Sequence, residues 1–108
     1  MQQITLNTID VIHIVHLEHI LYCKSKNSYT TFYLTNHLPI KISRSIKEIE
    51  KQLYKSAFIR PHQSYLVNPI HIVQISKTNG YSIVLSDKSL IPISIRKRKE
   101  ILQILLKK

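Results

Sequence analysis

Phe58-Ile59-Arg60-Pro61-His62-Gln63-Ser64-Tyr65-Leu66-Val67-Asn68 is the densest run of structural information in this 108-residue chain. Its branched and aromatic residues suit a pleated surface, and Ile59 to Val67 reads as extended. Pro61 lacks an amide proton, so it is tolerated there only where no ladder hydrogen bond is required. On a regular strand His62 and Ser64 share one side, and Gln63 takes the other unless a bulge or turn re-aims it.

Immediately upstream the period is different. Ser45-Ile46-Lys47-Glu48 has the form of a capping box, and Ile46, Ile49 and Leu53 follow at helical spacing. Lys51 and Lys55 fall in the last turn, where cations suit the helix dipole, so one short helix is predicted from about Ile46 to Lys55. Before it, strands are predicted at Ile4–Ile9, Val11–Val15, Ile20–Lys24, Tyr29–Leu34 and Leu38–Ser43, with Asp10 a break and Ser25-Lys26-Asn27-Ser28 a connection. After the quoted run, Pro69-Ile70 forms a turn. Ile72–Lys77 then pairs with Tyr81–Leu85 across Thr78-Asn79-Gly80, and Ser86-Asp87-Lys88 leads into Leu90–Ile93. Ser94 is expected to cap a C-terminal helix carrying Ile101, Leu102, Ile104, Leu105 and Leu106. With a single glycine, Gly80, the chain must use asparagine where positive φ is needed, and Asn27, Asn36 and Asn79 stand at turns.

Composition agrees with this order. Isoleucine, valine and threonine supply 30 residues and alanine one, a mainly β composition. The length is that of one domain, residues 1–108, and the hydrophobic fraction of 44% supports a packed core. One glycine excludes a Walker A loop and a dinucleotide fingerprint; one cysteine, Cys23, excludes a disulfide framework and any CxxC site. Set in Leu21-Tyr22-Cys23, it reads as a core residue. The amino terminus lacks the form of a signal peptide, and no run approaches the roughly 18 apolar residues of a membrane span. A cytoplasmic domain with no membrane contact is expected.

The formal net charge is +10, and it is unevenly distributed. Residues 1–54 carry six basic and four acidic groups, whereas residues 55–108 carry ten and two. An anionic partner would therefore be met mostly by the second half. Arg96-Lys97-Arg98-Lys99 sharpens the point. At the start of a helix beginning near Ser94, each cation is unfavourable by roughly 0.3–1 kcal/mol at low salt, a penalty that a docked anion reverses.

Other chemistries fare worse. His13, His16 and His19 are spaced by three, but they lie in a strand pattern where that spacing alternates faces, and no metal site or cofactor is expected. His62 and Ser64 are a weak nucleophile–base pair with no GxSxG elbow, so no catalytic residue is assigned and the protein is not expected to be an enzyme.

The run Phe58–Asn68 resembles the signature of LytTR-type DNA-binding domains, in which a Phe-(Ile)-Arg-x-His-x-Ser-(Tyr/Phe)-x-Val-Asn segment follows a short helix. Ile20-Leu21-Tyr22, Tyr29, the helix at Ser45–Leu53 and Ile91-Pro92-Ile93-Ser94-Ile95-Arg96 agree in order, so the resemblance spans about Ile4 to Leu106. It implies about ten strands in antiparallel sheets with one short internal and one short C-terminal helix. It also implies loops inserted into successive major grooves of double-stranded DNA, as in the output domains of response regulators of two-component systems.

Carried over by position, the base-reading residues are Arg96, Gln63, Asn27 and Ser28; Arg96 keeps the side chain best suited to bidentate contact with guanine. Lys26, Arg44, Arg60, His62, Ser64, Lys97, Arg98 and Lys99 are the expected phosphate contacts. The resemblance further implies direct-repeat DNA sites, two domains side by side, and a receiver or sensor domain upstream. The alternative is an RNA-binding or other polyanion-binding β module. Against it, tryptophan is absent, and only Tyr29 with Phe32 and Tyr33 approaches a stacking cluster.

Overall fold

A computed structural model describes residues 2–107 of the chain. The first hairpin, β1 (Gln3–Asn7) with β2 (Ile12–His16), forms a two-stranded sheet. Next come β3 (Ile20–Lys26), β4 (Tyr29–Leu34), β5 (Ile40–Ile42) and the helix α1 (Ile46–Gln52), followed by β6 (Ile59–His62) and β7 (Tyr65–Val67). These five strands form one sheet in the order β5-β4-β3-β7-β6. A third sheet, ordered β10-β9-β8, contains β8 (Ile72–Ser76), β9 (Ser82–Leu85) and β10 (Leu90–Pro92), and the helix α2 (Arg98–Leu106) completes the fold. Every strand pairing is antiparallel. Among the described residues the expected mainly β class, with ten strands and two helices, is the one observed.

The five-stranded sheet is apolar on both faces, and this fixes where everything else packs. Cys23, Phe32 and Leu66 face one core, closed by Ile4, Leu6 and Val15 of the first hairpin and by Ile46, Ile49 and Leu53 along α1. Leu21, Ile59 and Val67 face a second core, closed by Ile83, Leu85 and Ile91 of the third sheet and by Ile101 of α2. A register shift between Ile20 and Tyr22 puts Leu21 and Tyr22 on the same side, so β3 feeds both cores. Burial pushes the Cys23 thiol far above its ordinary range, as expected of a core residue with no reactive role.

Asn68, buried at the end of the signature run, joins the two halves. Its side-chain amide donates to the carbonyls of Leu17 and Ile20, each at 3.0 Å, and its Oδ1 accepts from the Ile70 amide at 3.4 Å. The capping box of α1 also forms: the Glu48 amide donates to Ser45 Oγ and the Ser45 amide to Glu48 Oε1, both at 3.2 Å. The Ser45 amide, with the Ser45 hydroxyl that also donates to Glu48 Oε1, holds the Glu48 carboxyl below its ordinary pKa.

Several expectations need correction. Ile59–Val67 is not one extended run but a hairpin, turning at Gln63-Ser64 between β6 and β7. His62 and Ser64 therefore do not share a strand face. The β6–β7 register also shifts between Ile59 and His62, around the proline that cannot donate to a ladder. The first strand ends at Asn7, where Thr8–Val11 form a turn closed by the Thr8 amide on the Val11 carbonyl at 2.8 Å. The Leu38–Ser43 strand narrows to Ile40–Ile42, and α1 stops at Gln52, three residues before Lys55. Positive φ falls at Asn27, Asn79, Gly80 and Lys88, and not at Asn36. Ser94 makes no side-chain cap; a 3-10 turn, Ile95–Lys97, precedes α2.

Candidate nucleic-acid interface

Strand register, set by the cores, brings three segments to one end of the five-stranded sheet. The β3–β4 connection is a two-residue turn, Asn27-Ser28, closed by the Lys26–Tyr29 pair, with Asn27 at φ 57. Lys26, Asn27 and Ser28 are all exposed there. The β6–β7 turn, Gln63-Ser64, lies alongside, because β7 pairs with β3 at Tyr65–Lys24 and the Ser25 amide donates to the Ser64 carbonyl at 2.9 Å. The third segment is docked through the buried Pro61, whose carbonyl accepts from the Ser94 amide at 2.9 Å. This places Arg96 and Lys97 beside the signature hairpin. Arg60, His62, Gln63, Ser94, Arg96 and Lys97, with Glu50 of α1, line one open cleft of about 540 Å³.

The side chains of this surface divide into free and committed groups. Gln63 and Arg96 are exposed, as is Lys99. The Gln63 turn contains no glycine and no positive φ, and it is held by side chains. The Ser64 amide donates to His62 Nδ1 at 3.1 Å, and Arg60 Nη2 donates to the Gln63 carbonyl at 2.7 Å. Arg60 Nη1 is ion-paired with Glu50 Oε1 at 2.5 Å, leaving the guanidinium turned inward. Arg44 is engaged as well, donating to Gln52 Oε1 at 2.8 Å and lying 4.0 Å from Glu48. The guanidinium of Arg98 lies 4.4 Å from the centroid of the Tyr81 ring, which half-buries it in the second core region. Only Arg98 and Lys99 of the basic run thus belong to the first turn of α2, where Glu100 accompanies them.

Glu50 was the partner that sequence reasoning missed. Its only local signal was its place on α1 beside the buried Ile49.

His13, His16, His19 and His37 gather along a separate cleft, with rings paired edge-on at 5.8 Å (His13–His37) and 5.9 Å (His16–His19). Among the described residues no three metal-binding side chains converge on one point. Nor, among them, is any helix long and apolar enough to cross a membrane.

Residues 10–106 match the LytTr DNA-binding domain family. The chain belongs to the LytTR family. LytTR domains bind DNA and are not enzymes, which removes the hydrolase reading of His62 and Ser64. Among curated proteins, the transcriptional regulatory protein LytR of Staphylococcus aureus (strain N315) is 30% identical over 81 residues, covering 75% of this chain and 32% of LytR. The sensory transduction protein LytT of Bacillus subtilis (strain 168) is 30% identical over 105 residues, covering 95% of this chain and 43% of LytT. The chain thus spans about a third to under half of the length of these relatives. A solved LytTr DNA-binding domain, from a methyl-accepting/DNA response regulator of Bacillus cereus, superposes with a TM-score of 0.83 at 25% identity over 97% of both chains.

Proposed function

We propose that residues 1–108 act as one domain, the sequence-reading DNA-binding domain of a bacterial transcriptional regulator. The observation that carries this reading is the convergence of three exposed polar segments at one sheet end. Asn27-Ser28, Gln63 and Arg96 stand on separate elements yet are linked by the Ser25–Ser64 and Ser94–Pro61 hydrogen bonds. Such a row of loops suits insertion into the major groove, where base edges differ in donor and acceptor pattern.

In this reading Arg96 reads guanine and Gln63 a second base edge, while Lys26, Lys97 and Lys99 meet phosphate. Two copies side by side on direct repeats, with a receiver or sensor domain supplying the signal, complete it as carried over from the family.

The RNA or general polyanion alternative gains little from the aromatic residues. Tyr22 and Tyr33 stack on each other at 4.4 Å between centroids, Tyr22 and Tyr65 pack against the second core, and Phe32 is fully buried. Tyr29 is the one member of the Tyr29, Phe32 and Tyr33 cluster that is exposed, and the Lys41 ammonium lies 4.6 Å from its ring centroid, so a single ring faces solvent rather than a stacking platform.

A competition titration tests the proposal. Duplex DNA should outcompete single strands and RNA of matched length. Log affinity should fall with log salt at about −0.9 per phosphate contacted, a steep line for a domain making several contacts. Equal competition by all three nucleic acids, or a flat salt response, contradicts it.

A further inference from the structure

The cleft that holds Gln63 and Arg96 contains one carboxylate, Glu50, on a surface whose proposed ligand is a polyanion. A carboxylate so placed repels phosphate and should weaken binding. The structure shows what it holds. Glu50 is 43% exposed, whereas its partner Arg60 is 19% exposed, with its Nε buried and without a hydrogen-bond partner. One guanidinium nitrogen meets Glu50 on α1 and the other donates to the carbonyl of Gln63 across the β6–β7 turn. Among the described residues, no other side chain donates to that carbonyl. The turn itself, lacking glycine or a positive φ, is of a kind that does not match strand twist by itself.

We infer that Glu50 and Arg60 form a positioning pair that fixes the Gln63 turn and keeps Arg60 from phosphate, lowering overall affinity while raising discrimination between DNA sequences. This rests on the reading of the cleft as the DNA-facing surface. The planar fork of arginine is needed, because it must meet two acceptors in different directions at once; lysine, a point charge on a flexible stem, cannot hold both. Without Glu50 the guanidinium is free to turn outward to the nearest phosphate. The domain would then hold any duplex more tightly while the Gln63 turn loses its tether.

The experiment uses the 108-residue chain, a duplex enriched by it from a randomised pool, and a scrambled duplex of the same composition. Glu50→Gln should tighten binding to the scrambled duplex several-fold, steepen its salt slope by about one unit, and lower the ratio of the two affinities about tenfold. Arg60→Lys should lower the same ratio while leaving the thermal midpoint within a few degrees of wild type. The reversed pair, Glu50→Arg with Arg60→Glu, separates positioning from simple ion pairing. It restores the charge pair, but a carboxylate cannot donate to the Gln63 carbonyl, so discrimination should stay low. Recovery of wild-type discrimination in the reversed pair overturns the positioning role. So does wild-type behaviour of Glu50→Gln on both duplexes. A wild-type chain that enriches no duplex, or binds both equally, overturns the DNA-reading proposal beneath it as well, and is thereby distinguishable.

Discussion

Arg96→Ala is expected to weaken binding to the enriched duplex by roughly 5- to 150-fold, the factor that corresponds to the ~1–3 kcal/mol of a bidentate arginine–base contact. Binding to a scrambled duplex should change by about twofold at most. The side chain is exposed on the 3-10 turn before α2, and among the described residues no acceptor engages it, so its removal should leave the thermal midpoint nearly unchanged. Lys99→Ala, on the exposed first turn of α2, should instead weaken both duplexes in similar proportion and reduce the salt slope by about one unit at most. The check is a pair of titrations for each variant. A proportional loss on both duplexes for Arg96→Ala would make Arg96 a phosphate contact and leave base reading to Gln63 and the Asn27-Ser28 turn.

The second large effect concerns folding. Asn68→Ala should destabilise the domain by ~1–3 kcal/mol, because it takes the side-chain donor from the buried Ile20 carbonyl, at a cost of about 1–3 kcal/mol, and removes the part-buried hydrogen bonds to the Leu17 carbonyl and from the Ile70 amide. At roughly 4–8 °C per kcal/mol for a domain of this size, the thermal midpoint should fall by at least about 4 °C. Asn68→Asp keeps the oxygen that accepts from Ile70 but removes the two donors and brings a charge toward carbonyl oxygens, so it should be no better tolerated. A shift below about 3 °C for Asn68→Ala would mean that the network contributes little. The signature asparagine therefore belongs to the fold, holding the entry of β3 against the turn into β8, rather than to the DNA surface.

What could be read from the sequence was whatever rests on local rules. The Ser45–Glu48 capping box, the helical spacing of Ile46, Ile49 and Leu53, and the alternation in Tyr29–Leu34 each specify their element within a few residues. The Asn79-Gly80 turn belongs to the same class, since both residues accept positive φ. The β6–β7 hairpin was not legible, because Gln63-Ser64 carries no Gly, Pro, Asn or Asp to mark a turn. Its turn is held by Arg60 and His62 side chains and by the Ser25 amide of a strand nearly forty residues away. The helix start near Ser94 was misplaced for a similar reason: the Ser94 amide is taken by Pro61, so the chain turns once more before α2 begins.

The candidate site divides along the same line. Arg96, Gln63, Asn27 and Ser28 were located by resemblance to the family, and the fold brings their segments to one end. Whether a cation is free or committed depends on tertiary partners that no local pattern announces. Arg60 is held by Glu50 and the Gln63 carbonyl, Arg98 lies on Tyr81, and Arg44 is engaged by Gln52. The charge count alone weighted these arginines equally with Arg96 and Lys99.

Three loops at one end of the five-stranded sheet are proposed to meet DNA together. The most direct measurement is a titration of the enriched duplex into isotopically labelled chain while backbone amide resonances are followed by NMR. The largest changes are expected at Asn27-Ser28, Gln63-Ser64 and Ile95–Lys97, saturating at one duplex concentration, with little change at the Asn79-Gly80 turn or in the first hairpin. Changes centred on the histidine cleft or on the Asn79-Gly80 turn, with those three segments unmoved, would contradict it.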